Sequence, residues 1–325
     1  MTTNYQQVYI KGTTKQEPFQ RECAERYEII KPLLERYQRR FSLFDLGANL
    51  GYFTLRTQAE LDCFSVAADR VRGPLKDILR QNNPASAVWL NKHFTAHELS
   101  LLADCEQFDV GLVLNVLHHF PDVKDSLRAL MALKRLCRFL ILEICPPDGD
   151  TGAKYPHTHK AIYEAVTSDP HAELIAETRS HLKGSPPRYI YLIDNGITGF
   201  TSQQSFDARE RCPHRSQCKM WLPVDDQPTV DIVKADKNID QVFEFPFIPG
   251  MNLWNMVLLG YAWPGKSKLL TEFEIILEAV PHDDPLPWNW IYDGKLHAID
   301  NGFKPKQKKF PCDALRLFKY GKDGM

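Results

Sequence analysis

No apolar run in these 325 residues approaches transmembrane length, and the opening MTTNYQQVYIKG lacks the basic region and apolar stretch of a secretory signal. Both absences lead to the expectation of a soluble, cytoplasmic protein. Charge of one sign is also missing: 40 Lys and Arg face 41 Asp and Glu, a formal charge of -1. A nucleic-acid partner is therefore not expected, since neither a basic field nor a basic stripe marks one. The eight cysteines lack the ordered spacing of a disulfide framework, and several lie inside apolar segments, where a reduced cysteine packs as a small hydrophobe. Only Cys212, His214 and Cys218 in CPHRSQC cluster, without the fourth ligand and tight pair spacing that structural zinc requires. There is no internal repeat.

What is present begins with a helical stripe at Tyr27, Ile30, Leu34 and Tyr37, interrupted by Pro32, which predicts a helical lead-in over residues 19 to 37. From residue 41 short apolar runs alternate with helical stretches: FSLFDLG, CFSVAAD, AVWL, FDVGLVLNV and RFLILEI, with helices over 51–60, 71–81, 97–104 and 123–136 between them. Runs with little alternation are what parallel strands covered on both faces require. The fold class is thus α/β, a doubly wound, mostly parallel, Rossmann-like sheet. A helix near 158–166 and a strand in SPPRYIYLID follow. The polar stretch GITGFTSQQS suggests a boundary, giving one domain over 1–200 and a smaller α+β domain over 201–325.

The chemistry concentrates in LFDLGANLGYFTL, between the first long strand and its helix. Gly47 and Gly51 allow a tight turn and a close ligand, and Asp45 ends the strand as an acceptor for a cationic or amino-bearing group. Asp69, closing the next strand, can hold both hydroxyls of a ribose. The dinucleotide fingerprint G-x-G-x-x-G is absent, because Asn49 occupies its middle glycine position. That substitution disfavours a pyrophosphate but not a cofactor lacking one.

DLGANLGYF resembles the first motif of class I S-adenosylmethionine-dependent methyltransferases, and FDVGLVLNVLHHF resembles their fourth strand and the loop beyond it. The resemblance covers about residues 40–195 and implies a seven-stranded methyltransferase sheet with S-adenosylmethionine as cofactor. It puts Asp45, Gly47 and Gly51 near the methionine part, Asn49 and Tyr52 in the same binding stretch, Asp69 on the ribose and Asn115 near the sulfonium. The acid that contacts adenine in that family has no counterpart in WLNKHFTAHEL, where His93 or Phe94 would cover the base instead.

Methyl transfer to a hydroxyl needs in-line contact and removal of a proton. His118 and His119, after the fourth strand, and Glu143, ending the fifth, are the candidate catalytic groups, and no metal is expected there. Tyr155, His157 and His159 in YPHTHK, with Arg179, Arg188 and Tyr189, are candidates to hold the acceptor, the arginines by clamping a phosphate or carboxylate. The order EICPPDG, histidine segment, RYIYLI also resembles, more loosely, the methyltransferase half of enzymes that cap bacterial surface polysaccharides and carry a kinase domain. That implies O-methylation of a small molecule, saccharide or saccharide phosphate.

In the last third, HDDPLPWN and LHAIDNG resemble the catalytic and metal-binding loops of protein-kinase-like phosphotransferases. This implies a reduced second site with Lys234 on the phosphates, Asp284 as base, and Asn289 and Asp300 on magnesium, using ATP. GYAWPGKS also fits the phosphate-loop pattern, with too few residues after it for the sheet such loops serve. A third reading makes the region a substrate lid or homodimerisation module, and a further alternative for the whole chain is a non-catalytic binding protein that keeps the cofactor fold.

Overall fold

A computed structural model describes residues 4–12, 19–70, 73–147, 156–180, 186–196, 200–201, 218–220, 229–236, 239–246, 248–279 and 290–298. Two short strands, β1 (Asn4–Gln6) and β2 (Phe19–Arg21), pair in parallel ahead of α1 (Ala24–Leu34). The expected lead-in helix is therefore shorter than its stripe, and Pro32 lies within its last turn.

The body then alternates: β3 (Phe41–Leu46), α2 (Tyr52–Glu60), β4 (Cys63–Asp69), α3 (Gly73–Asn82), β5 (Ala87–Asn91), α4 (Ala96–Ala103), β6 (Phe108–Leu114), α5 (Val123–Leu136) and β7 (Cys137–Ile144). A single 3-10 turn, Leu117–His119, interrupts the connection after β6. All six residues of β3 are buried, which is why its sequence shows no alternation. Phe44 and Leu46 enter one core with α4 and α5, while Phe41 and Leu43 enter another with α1 and α2. Asp122 caps α5 by accepting the Asp125 N–H, and Thr95 and Glu98 form a reciprocal capping box on α4.

After α6 (Pro156–Thr167) come β8 (Ala172–Thr178) and β9 (Arg188–Asp194). β9 inserts antiparallel between β7 and β8, so seven strands run in the order β5-β4-β3-β6-β7-β9-β8. The doubly wound α/β sheet expected from the sequence is present.

Beyond it, β10 (Phe200–Thr201), β11 (Cys218–Met220), β12 (Thr229–Asp236) and β13 (Ile239–Pro246) form a separate antiparallel sheet, with Lys234 on β12. Next are β14 (Met251–Asn252), α7 (Leu253–Leu258), β15 (Tyr261–Trp263), α8 (Lys266–Ala279), β16 (Trp290–Tyr292) and β17 (Leu296–Ala298). β15 adds an eighth strand, antiparallel, to the free edge of β5. Met251, Leu253, Met256, Leu269, Phe273 and Trp290 belong to the same core cluster as Phe44, Phe64 and Val88. The phosphate-loop match of GYAWPGKS is a coincidence of pattern, because its variable positions Tyr261–Trp263 form an edge strand rather than a cradle of free amides.

Besides the pairing of β15 with β5, side-chain contacts fasten this segment at the amino edge of the parallel strands. Glu106, before β6, accepts from the Asn252 N–H at 3.0 Å and from Asn255 Nδ2 at 2.6 Å. Arg40, before β3, donates to Asp293 Oδ2 at 2.8 Å. The opposite, carboxyl edge carries the glycine turn after β3.

Candidate cofactor and acceptor site

At that carboxyl edge the chain leaves β3 through Gly47–Gly51. Gly47 has φ +76° and Gly51 φ +79°, both left-handed, and Asn49 holds φ +53°. A Cβ on Gly47 would stand 2.2 Å from Val116 Cγ2, so glycine lets the loop after β3 close against the loop after β6.

Each amide of this turn has an acceptor within the protein. Gly47 and Ala48 donate to the Ala68 carbonyl, Asn49 to Asp69 Oδ2 at 2.8 Å, Leu50 to Gln6 Oε1 at 3.1 Å, and Gly51 to the Ala48 carbonyl. Asp69 thus faces back onto the loop. It also accepts the Arg70 N–H at 2.6 Å, which leaves its carboxylate further lone pairs for a ligand's hydroxyls. His93 stands beside it, Nε2 3.6 Å from Asp69 Oδ1, with 60% of its side chain exposed.

Asp45 lies beneath the turn, buried, accepting from Thr54 Oγ1 at 2.6 Å. Burial pushes its carboxyl up to about 7, the Thr54 hydroxyl opposing and Asp69 adding to the rise. Asn115, at φ +60°, donates its N–H to the Glu143 carbonyl at 2.9 Å, and its Oδ1 accepts from Cys145 Sγ. The structure therefore assembles Asp45, Gly47, Asn49, Gly51, Asp69, His93 and Asn115 on one edge.

Two residues expected on the cofactor lie elsewhere. Tyr52 is buried among Tyr9, Tyr27 and Phe53, and its hydroxyl accepts from Arg56 at 3.0 Å. Phe94 is buried with its ring edge-on to Phe44 at 6.1 Å. Both are core aromatics, drawn inward because a ring at the start of a covered helix or after a buried strand gains more by leaving water.

On the acceptor side, His118 is buried and His119 exposed within the 3-10 turn. The His118 ring lies 4.7 Å from that of His159 on α6, also buried, whereas His157 is exposed. Helical spacing separates those two histidines: positions two apart fall on different faces. Arg179 is exposed and Tyr189 half-buried on β9; Tyr155 lies outside the described residues, as do Asp284, Asn289 and Asp300.

Glu143 has a different environment from that of a free base. It is buried, accepts from Arg21 and, at 3.0 Å, from Arg26 Nη1, and Thr178 Oγ1 lies 3.4 Å away. Burial alone would raise its carboxyl, but the guanidiniums of Arg26, Arg21 and Arg188 outweigh it and hold it at about 2. Arg188 is likewise buried in this cluster rather than displayed on the surface. A carboxylate so strongly ionised is a poor proton acceptor near neutrality, so the geometry assigns Glu143 to ion pairing. Arg21 and Arg26 had no sequence motif to mark them.

A strand order β5-β4-β3-β6-β7-β9-β8, with one antiparallel insertion and a glycine turn after the central strand, is the class I methyltransferase fold. Among solved structures, the chain is similar to the bifunctional kinase-methyltransferase WbdD at 18% identity and TM-score 0.50, over 98% of this chain and 84% of that one. WbdD in co-crystals with the kinase inhibitor LY294002 matches at 18% identity and TM-score 0.50, over 92% and 80%. The N-methyltransferase NodS of Bradyrhizobium japonicum WM9 matches 52% of this chain and 94% of its own at 13% identity and TM-score 0.41. No protein-family model and no curated protein matches the sequence. Among the described residues no helix is long and apolar enough to cross a membrane, and no group of His, Cys, Asp and Glu is arranged to hold a metal.

Proposed function

We propose that the chain is an S-adenosylmethionine-dependent methyltransferase that methylates an oxygen of a small molecule, saccharide or saccharide phosphate. The observation that carries this reading is the closed set of amide bonds from Gly47 to Gly51. A pyrophosphate is held by free backbone N–H groups, and the five amides from Gly47 to Gly51 offer it none. An adenosyl cofactor without pyrophosphate asks instead for a carboxylate on its ribose and a nearby acid for its amino group, which Asp69 and Asp45 supply. The bound cofactor provides the methyl group on a sulfonium.

The chain's own residues then bind, orient and deprotonate. Asp69 holds the ribose and His93 lies against the base. Asn115, pinned by Glu143 and Cys145, borders the reacting atoms, with His118 or His119 taking the acceptor's proton. Of the two arginines expected on the acceptor, Arg179, exposed at the end of β8, is the one left on the surface for an acceptor carrying phosphate or carboxylate. Methyl transfer assayed with phosphorylated and unphosphorylated sugars tests this: turnover with the phosphorylated set supports the reading, and cofactor binding without transfer to any acceptor supports a binding protein instead. Nucleic acid is not among the partners this reading uses, and a homodimer is compatible with it.

A second activity is suggested by the similarity to WbdD, which is described as a bifunctional kinase-methyltransferase. Lys234 lies on β12, and the other residues expected on ATP and magnesium lie outside the described residues. The corresponding function is ATP- and magnesium-dependent phosphotransfer. Magnesium-dependent ATP turnover lost in Asp300→Ala supports it; turnover absent in the wild type rejects it.

A further inference from the structure

Of the five amides in the turn after β3, three are held by backbone carbonyls and two by side chains. Asp69 holds Asn49, and Gln6, some forty residues upstream, holds Leu50. Gln6 is itself buried at the end of β1. The next residue, Gln7, turns the other way: its amide donates to the Arg21 carbonyl at 3.2 Å, and its Oε1 accepts from the Cys23 and Ala24 N–H groups at the start of α1. Arg21 ends β2 and, with Arg26 on α1, grips Glu143. A continuous line of bonds therefore runs from the cofactor turn through Gln6, the β1–β2 pair and Arg21 to Glu143, whose carbonyl receives the Asn115 amide. It joins the two loops between which a methyl donor and acceptor would meet.

We propose that residues 4–12 and 19–26 form a strap belonging to the cofactor site, in which Gln6 positions the cofactor turn and Glu143 acts as the strap's anchor. This rests on the proposed cofactor. A turn whose Leu50 amide loses its acceptor spends less time in the binding geometry, and apparent affinity falls by the fraction lost. Gln6→Ala therefore weakens binding by about tenfold, the range expected when a part-buried donor is left without a partner. Gln6→Glu, which keeps an acceptor oxygen, restores most of it.

The test is calorimetry of the full chain with S-adenosylhomocysteine, beside thermal melts and hydrogen exchange of the peptide containing Leu50. Gln6→Ala is expected to raise Kd and speed exchange at residues 49–51. Gln7→Ala, which removes the cap on α1 without touching the turn, is expected to cost at least as much thermal stability and to leave Kd within about twofold. Glu143→Gln is expected to raise Kd and the cofactor KM, whereas a catalytic base would show its loss in kcat with Kd intact. Equal binding by wild type and Gln6→Ala, or equal losses in Gln6→Ala and Gln7→Ala, overturns the strap alone. If wild type fails to bind S-adenosylhomocysteine, the strap and the proposed function fall together. Where a variant melts too low for calorimetry, exchange at residues 49–51 in the folded fraction decides.

Discussion

Gly47 combines two demands that no other residue meets: a left-handed backbone and less than a methyl group's room beneath Val116. Gly47→Ala is accordingly expected to lose about 2–5 kcal/mol of stability, the sum of a left-handed penalty and overpacking, together with cofactor binding; denaturant melts and calorimetry check both. Asp45 makes a prediction of a different kind. Its carboxyl, pushed up to about 7, stays protonated in the fold while the unfolded chain has already ionised, so its burial lowers stability progressively as pH rises from about 4 to about 7. A cationic ligand prefers the ionised form, so cofactor affinity should rise as pH approaches about 7 and level off above it, and Asp45→Asn should flatten that rise. Glu143 has the opposite sign: held at about 2, it contributes stability above the ordinary carboxylate range that is lost as pH falls through it. The glycines and strand-end acids were legible in the sequence because their chemistry is local. Gln6, Arg21 and Arg26 were not, since their partners lie tens of residues away and a lone glutamine or arginine carries no spacing signal.

The elements of the central sheet were legible for a similar reason. β3 to β7 are mostly apolar because both faces are covered, and α5 follows its stripe to the residue because Asp122 caps it. β8 escaped notice: it is an antiparallel edge strand with Glu173, Leu174 and Glu177 exposed, too polar for a buried run. β15 was hidden behind the phosphate-loop pattern and instead covers the edge of β5. A chain ended at residue 200 would leave that edge unpaired and uncover Phe64, whose ring lies edge-on to that of Tyr292 at 6.5 Å. Such a truncation is expected to aggregate or melt well below the full chain, as size-exclusion chromatography and thermal scans would show; an equally stable monomer would contradict the packing.

At the scale of the whole molecule, the segment over 248–298 is fastened to the amino edge through Glu106, Arg40 and Pro84, while the cofactor turn, the histidines and the strap occupy the carboxyl edge. Probes in β3–β7 and in 248–298 should therefore unfold in one transition, and saturating cofactor should raise both together. Buried residues on both sides of the division expected at residue 200 share one core cluster, which is the reason to expect a single transition. The most direct measurement for the molecule is calorimetry of the full chain with S-adenosylhomocysteine and NAD in separate titrations. Binding of the sulfur cofactor, lost in Asp69→Ala, with no heat from NAD is the expected result. Binding of NAD with no response to S-adenosylhomocysteine would show that the turn after β3 receives a pyrophosphate after all.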